Sequence, residues 1–449
     1  MKSSQLRRNI LEVLIRVEKD NGFSHLLLNQ EINAKRLNLK DEALFTQIVY
    51  GTLERKITLD YYLSEFVDPR KKVETWVTIL LRMSVYQMVY LDKVPDHAVI
   101  HEAVEIAKEK GHKGIQGFVN GVLRNIQRKG VADFSKVNDP LERLSIETSY
   151  PIWLVEHWVK QYGFEITEEI CHATLMKKPI AVRIQPLKAS RDIVMQELEK
   201  EGFEVQASEL SKQGIIIRKG NILTSELFKK GMLTIQDQSS MLVGEMIKAE
   251  PGMTVLDSCS APGGKATHIA EKMQNTGIIH AHDIHKKKAK LISEKAETLG
   301  LTIIHAEQGD ARKLRERYED ASFDRILVDA PCSGLGVVGS KPEIKYEKTQ
   351  EDIDRLQVIQ LDILNHVAEL LKSDGLMIYS TCTIEKAENE QVVEKFLKLN
   401  PNFEIDEEFF KELPESLQTS LGITGYGLQL FPQTHQTDGF FLTRLKKVN

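Results

Sequence analysis

From Gln236 onward, short apolar runs alternate with helical segments, and this alternation limits the fold more than any other feature of the chain. TVLDSC, GIIHAHD, TIIHAEQGD, DRILVDAP and GLMIYSTC are bounded by turn residues and separated by stretches of helical periodicity. Such a succession predicts a parallel sheet with helices on both faces, an α/β layer structure. Four consecutive runs end in acids: Asp257, Asp283, Asp310 after Gly309, and Asp329. One acid at a strand exit often only caps a helix. Four on one edge mark a ligand site, because open sheets of this kind bind ligands outside the carboxyl ends of their strands.

The loop after Asp257 narrows the choice of ligand. Ser258 to Lys265 (SCSAPGGK) leads straight into ATHIAEKM. Its adjacent Gly263 and Gly264 let backbone pass close to a ligand, and the helix start offers unpaired N–H groups. Asp283, about 20 residues beyond Gly263, is placed to accept the hydroxyls of a ribose. The G-x-G-x-x-G dinucleotide fingerprint and the G-x-x-x-x-G-K-[ST] phosphate loop are both absent. A carboxylate-rich site with few glycines suits a ligand carrying an amine, a ribose and an adenine, which describes S-adenosylmethionine.

The remainder of the chain has other habits. The first 130 residues read as helices: Leu6, Ile10, Leu14 and Val17 fall at helical spacing, Val73 to Leu91 is rich in apolar residues broken by Arg82 and Gln87, and Pro95, Gly111, Gly114 and Gly117 punctuate the helices. Gly130 to Pro151 loosens into a linker, and Ile180 to Ile235 reads as a small α/β unit around RDIVMQELEKEG. A length of 449 residues accommodates a helical domain over 1–130, a linker helix and small α/β subdomain over 131–235, and the sheet domain over 236–449. With 41% apolar and 28% charged residues, the chain has packed cores rather than disorder. A net charge of -5 means that any nucleic-acid surface comes from local clustering. Four scattered cysteines form neither a disulfide framework nor a zinc motif, no apolar run is long enough to span a membrane, and the expected location is the cytoplasm.

Two of those cysteines carry the chemistry. FDRILVDAPCSGLGVVG places Asp329, Pro331 and Cys332 at one strand end, and YSTCTIEKAENE places Cys382 at the next. Cys171 reads as a small apolar filler, and Cys259 lines the cofactor loop without chemistry of its own. A thiol, a carboxylate and a methyl donor together suit methylation of an unactivated aromatic carbon. Carbon 5 of a pyrimidine becomes nucleophilic once a thiolate adds to carbon 6, and the thiolate is the reacting form.

LDSCSAPGGK, DAPCSGLG and YSTC together resemble the RNA cytosine carbon-5 methyltransferases, and the helical first third, with GFVNGVLRN, resembles the NusB fold. The pairing is similar to the RsmB (Sun/Fmu) family, and the likeness extends to TIQDQSSML and DGFF. The resemblance implies three domains: an all-α NusB-like domain, an RRM-like middle region and a Rossmann-like methyltransferase domain. It implies that Cys259, Ser260, Ala261, Pro262, Gly263, Gly264 and Lys265 cradle S-adenosylmethionine, with Asp283 on the ribose, Asp310 near the adenine and Asp329 shared between the methionine end and the base. Cys382 corresponds to the nucleophile and Cys332 to the cysteine that helps remove the carbon-5 proton and release the enzyme. The implied target is cytosine 967 of 16S ribosomal RNA, free or in a small-subunit assembly intermediate, acted on by a monomer without metal or membrane. The family often has alanine where this chain has Ser260, and basic residues and tryptophan where it has Gly339, Ser340 and Tyr346.

An RNA base inside a helix must be unpaired or swung out to reach such a pocket. Lys108, Lys110, Lys113, Arg124, Arg128 and Lys129 outnumber the acids Glu102, Glu105 and Glu109 around them and can pair with phosphates. Arg70, Lys71 and Lys72 form a second basic patch, while Lys286 to Lys288 read as an exposed helix start. His280, His282 and His285 lack the spacing of a metal site. Two other readings remain: a non-catalytic RNA-binding or assembly protein whose sheet domain senses the cofactor, and a nicotinamide dehydrogenase, which the missing glycine fingerprint disfavours.

Overall fold

The computed structural model describes residues 3–20, 24–35, 37–70 and 72–448, so Lys71 of the second basic patch lies outside the described residues. The chain forms two compact units, one of residues 3–176 with Val338–Glu347, the other of Lys177–Val337 with Lys348 onward.

The first unit is helical. Helices run over Ser3–Asp20, Ser24–Lys35, Leu39–Glu54, Lys56–Ser64, Thr75–Tyr90, Asp96–Lys110 and Lys113–Lys129. Leu6, Ile10, Leu14 and Val17 are all buried in their shared core, as their spacing predicts. Arg82 and Gln87, which interrupt the apolar helix, are both paired: Arg82 donates to Asp60 at 2.7 and 2.9 Å and to Glu18 at 3.2 Å, and buried Gln87 accepts from Arg7 at 2.9 Å. The stretch read as a linker differs from expectation. It holds the helix Pro140–Thr148, started by Asp139, whose carboxylate accepts from the N–H groups of Leu141 and Glu142 at 2.9 and 2.8 Å. Aspartate before a proline at the first helical position is a strong start signal, and buried Leu144 and Thr148 hold the helix in place.

Val338–Glu347 is anchored in this unit. Glu343 accepts from the N–H and hydroxyl of Ser24 at 3.1 and 2.9 Å. Buried Lys345 donates to the carbonyls of Glu54 and Thr148 at 2.9 and 3.2 Å, and Tyr346 shares the Glu54 carbonyl at 3.0 Å. Burial pushes the Lys345 ammonium down to about 7.

The second unit contains two sheets. Strands β1 (Ile180–Ile184), β2 (Glu204–Ala207), β3 (Gly214–Lys219) and β4 (Leu233–Ile235) pair antiparallel in the order β2-β3-β1-β4. The larger sheet is built from β5 (Thr254–Asp257), β6 (Ile278–Asp283), β7 (Ile304–Gln308), β8 (Phe323–Asp329), β9 (Leu371–Thr381), β10 (Phe403–Ile405), β11 (Ile423–Thr424), β12 (Gly427–Leu430) and β13 (Phe440–Lys447). Its order is β11-β12-β13-β9-β8-β5-β6-β7, with β10 paired to β13. The five runs read from the sequence are the parallel strands β7, β6, β5, β8 and β9. The sheet is mixed rather than wholly parallel, because β13, which begins in the DGFF segment, lies antiparallel against β9 and carries β12 and β10 with it.

Alternation along these strands divides the core. Val255, Leu327 and Ile378 face a cluster that includes Ile269 and Ile292, whereas Leu256, Ile326, Val328, Met377 and Tyr379 face one that includes Leu364 and Phe396. Helices Gly264–Lys272 and Lys286–Leu299 therefore cover one face, and Gln350–Ala368 and Glu390–Leu399 the other. Among the described residues no helix is long and apolar enough to cross a membrane.

Candidate active site

The neighbouring strands β5, β8 and β9 end side by side, and their exits hold the acids and thiols singled out above. The parallel register sets Asp329 opposite Ser380, and the Ser380 hydroxyl donates to Asp329 Oδ1 at 2.9 Å. Lys265 Nζ donates to Asp329 Oδ2 at 2.6 Å. Burial works against the Lys265 charge, but Asp329 outweighs it and raises the lysine above its usual range. The loop after β5 and the end of β8 are thus joined by one ion pair.

The loop itself is held by backbone bonds. Ser258 N–H donates to the Leu327 carbonyl at 3.0 Å, Ser260 N–H to the His282 carbonyl at 2.7 Å, and Gly263 N–H to the Ser260 carbonyl at 2.7 Å. Gly263 has φ +92°, and a Cβ there would stand 3.1 Å from Ile292, so glycine is required both by the conformation and by the close helix behind it. Asp257 is wholly buried, and burial pushes it up to about 7 against the opposing pull of the Ser260 hydroxyl, Lys265 and the Cys259 N–H. Ser260 is buried beside it. Burial also pushes the Cys259 thiol up, which keeps it un-ionised.

Asp283 and Asp310 stand at the exits of β6 and β7, Asp310 two residues past the strand. Asp283 accepts from the His285 N–H at 2.8 Å. Asp310 is gripped by the Arg312 guanidinium at 3.0 and 2.7 Å, which lowers its pKa, and its Oδ1 accepts from the Arg312 N–H at 3.0 Å, which starts the turn Ala311–Glu316. Asp310 therefore caps the turn that follows it, while Asp283 closes the turn ahead of the helix Lys286–Leu299. His282, next to Asp283, is pushed down to about 4 by burial, and its Nε2 pairs with the Tyr318 hydroxyl at 2.8 Å. Among the described residues no three or more His, Cys, Asp or Glu side chains are grouped to hold a metal ion.

The structure brings the two expected thiols together: Cys332 Sγ lies 3.3 Å from Cys382 Sγ. The Cys382 thiol next to it and burial raise the Cys332 pKa well above that of a free thiol. Gly336 N–H donates to the Cys382 carbonyl at 3.0 Å, and Gly439 N–H donates to the Gly336 carbonyl at 2.8 Å. The TIQDQSSML and DGFF segments also meet, through Lys178, which donates to Asp237 at 2.7 Å and to Asp438 at 2.5 Å. Cys171 sits buried in the helical unit with its thiol pushed up to about 12, consistent with a filler.

Several residues at this edge do not stand out in the sequence. Ser380 precedes Cys382 by two positions, so its contact with Asp329 is readable in principle from the parallel pairing of the two strands. Arg183 on β1 is not. It is wholly buried, forks onto Glu271 at 2.8 and 2.9 Å, and donates to the Gly264 carbonyl at 2.8 Å.

In the helical unit, Lys108, Lys110, Lys113, Arg124, Arg128 and Lys129 are all exposed. Lys110 pairs with Glu12 at 2.9 Å and Lys108 with Glu105 at 3.9 Å. A separate depression of about 270 Å³ in this unit is lined by Lys72, Val73, Val77, His112, Ile115 and Phe118.

Comparison with known proteins matches these parts in turn. Residues 245–446 match the family model described as 16S rRNA methyltransferase RsmB/F, residues 4–128 the NusB family, and residues 150–223 the RsmF/B-like ferredoxin-like domain. The chain is similar to a probable ribosomal RNA small subunit methyltransferase B of Bacillus subtilis, 47% identical over all of both chains. It is 33% identical to a relative of the same description from Synechocystis, over 97% of this chain and 98% of that one. Among solved structures, a methyltransferase homolog protein from Pyrococcus horikoshii superposes with a TM-score of 0.59 at 27% identity, covering 69% of this chain and 100% of that one. With its NusB-like helical domain, ferredoxin-like middle domain and mixed-sheet methyltransferase domain, the chain belongs to the RsmB/F family of S-adenosylmethionine-dependent 16S ribosomal RNA methyltransferases.

Proposed function

We propose that the enzyme methylates carbon 5 of one cytosine of 16S ribosomal RNA, the position numbered 967, through a transient bond between Cys382 and carbon 6 of the base. The observation that carries this reading is the 3.3 Å approach of Cys332 to Cys382 beside an aspartate fixed by two donors. The strand exits suit S-adenosylmethionine: Gly263 takes φ +92° in the loop that leads to a helix start, and the buried carboxylate of Asp257 lies at the base of that loop. Cys259 to Lys265 would hold the cofactor, with Asp283 at the ribose, Asp310 near the adenine and Asp329 at the methionine end. When bound, the cofactor supplies an electrophilic methyl group.

The chain's own residues perform the rest. Cys382, as thiolate, adds its electron pair to carbon 6, and the ring electrons pass toward N3, which Asp329 steadies as a proton arrives there. Carbon 5 is then nucleophilic. Cys332 keeps its proton at this stage, because the adjacent sulfur of Cys382 raises its pKa. Once Cys382 is a neutral thioether that influence is gone, and Cys332 can release its proton to solvent and, as thiolate, accept the carbon-5 proton. The electrons of that C–H bond restore the ring double bond and expel Cys382 as thiolate, while N3 returns the proton it had gained to solvent.

The exposed basic face of Lys113–Lys129 would pair with RNA phosphates. The functional division follows 1–130, 131–235 and 236–449, with the chain acting as a cytoplasmic monomer on 16S RNA or on a partly assembled subunit. RNA carrying 5-fluorocytosine at the target tests the chemistry, since fluorine cannot leave as a proton does. A covalent complex through Cys382 is expected with cofactor present, and its absence would overturn the proposal.

A further inference from the structure

The adjacent residues Glu388 and Asn389 take no part in the chemistry just described, yet they grip the chain neighbours of both thiols. Glu388 is wholly buried. Its Oε1 accepts from the Ser333 N–H at 2.8 Å and from Gln360 Nε2 at 2.9 Å, and its Oε2 accepts from the Ser333 hydroxyl at 2.5 Å. The same Gln360 amide donates to the Pro331 carbonyl at 2.9 Å. Pro331 and Ser333 flank Cys332, so one carboxylate and its glutamine fix the backbone on both sides of that cysteine.

Asn389 does the equivalent for Cys382. Its Oδ1 accepts from the Thr381 hydroxyl at 2.5 Å, and its Nδ2 donates to the Thr383 carbonyl at 3.1 Å and to Gln429 Oε1 at 2.8 Å. Thr381 and Thr383 flank Cys382. The two clamps are linked, because the Ser333 and Thr383 hydroxyls lie 2.9 Å apart. A carboxylate is costly to bury and is retained where specific donors hold it, and every donor here belongs to the Cys332 loop or to the helix Gln350–Ala368 beside it.

We infer that Glu388 and Asn389 are positioning residues for methyl transfer, which together set the separation and mutual orientation of the two sulfurs. The inference rests on the thiol pair being the reaction centre proposed above. Glu388 has a second effect: its charge helps to raise the Cys332 thiol, after the larger contributions of Cys382 and burial. Glu388 is itself raised by burial, opposed by its bonds to Ser333 and Gln360, with Glu385 a further charged group acting on it. The pair therefore holds the loops of both thiols in place, and the Glu388 charge disfavours ionisation of Cys332.

The test uses the full-length protein and its Glu388→Gln, Glu388→Ala and Asn389→Ala variants. Each cysteine's alkylation by iodoacetamide is followed by mass spectrometry across pH, and adduct formation is followed on 5-fluorocytosine RNA. Glu388→Gln retains the shape without the charge, so Cys332 should alkylate at lower pH, by about half a unit or more, while the adduct still forms. Asn389→Ala should slow adduct formation at least about tenfold, as a small misplacement of a reacting group does, with cofactor affinity unchanged. Glu388→Ala should show both defects; if it does not fold, the glutamine variant carries the test. Wild-type alkylation profiles and adduct rates in folded variants overturn the positioning role alone. Failure of the wild-type protein to form an adduct overturns the proposed reaction instead.

Discussion

Ser380 and Lys265 reach Asp329 from different parts of the chain, and the Lys265 ammonium, 2.6 Å from one carboxylate oxygen, is the only cation among the described residues paired with it. That ion pair joins the helix Gly264–Lys272 to the end of β8. Asp329→Asn should leave Lys265 charged and partly buried without its counter-ion, and breaking such a pair costs about 3 kcal/mol or more. Calorimetric unfolding should show the loss, and methyl transfer should fall with it; a variant as stable and active as the wild type would contradict this role for the pair.

The two cysteines should separate by phenotype. Cys382→Ala should form no covalent complex with 5-fluorocytosine RNA, whereas Cys332→Ala should accumulate as an adduct on ordinary RNA, because the bond to carbon 6 forms but is not released. Denaturing electrophoresis of protein with labelled RNA distinguishes the outcomes, and trapping by neither or both variants would reverse or refute the roles.

Asp257 makes a pH prediction. Its folded pKa is raised to about 7, while an unfolded aspartate titrates near about 3.9. Over that window the folded state holds a proton that the unfolded state has lost, so this group's contribution to stability falls as pH rises from about 4 to about 7 and is constant above. At about 1.4 kcal/mol per pKa unit, the effect approaches about 4 kcal/mol at most. Asp257→Asn should remove the slope and gain in stability relative to the wild type as pH rises, measured by unfolding at several pH values. Parallel curves for the two proteins would refute it.

Arg183→Met should destabilise the protein strongly, by about 3–5 kcal/mol, because Glu271 would be left charged in a wholly buried site. Arg183→Met combined with Glu271→Leu should recover much of the loss, since apolar residues of similar volume often replace a buried pair without penalty. Thermal unfolding of the single and double variants measures the coupling, and simple additivity would show that the two residues act independently.

The exposed bases of the helix Lys113–Lys129 should appear in the salt dependence of binding. Replacing Lys113, Arg124 and Arg128 by glutamine should flatten the plot of log affinity against log salt by about 0.7 to 0.9 for each phosphate that no longer has a basic partner. An unchanged slope would assign these residues to a solvated face.

Residues 236–449 are legible in the sequence because two periodicities coexist there: short apolar runs set the strands, and the acids and cysteines immediately after them must fall on one edge of a parallel sheet. Cys332 and Cys382 meet as expected for that reason. The helix Pro140–Thr148 escapes a reading by periodicity, although Asp139–Pro140 signals its start, because its apolar stripe is only two or three residues wide. The antiparallel placement of β13 escapes as well, because DGFF carries no sign of which neighbour it will choose.

Local pattern alone determined the helical first third, the five parallel strands, and the placement of four acids and two thiols at strand exits. Tertiary structure decided which polar groups hold them. Arg183 finds Glu271 and Gly264 about 80 positions away in sequence, and Glu388 finds Ser333 across two strands, contacts set by packing rather than by spacing. Periodicity records which side of an element a residue faces, whereas a hydrogen bond between distant segments depends on distances that exist only after the cores on both sides of the sheet have closed.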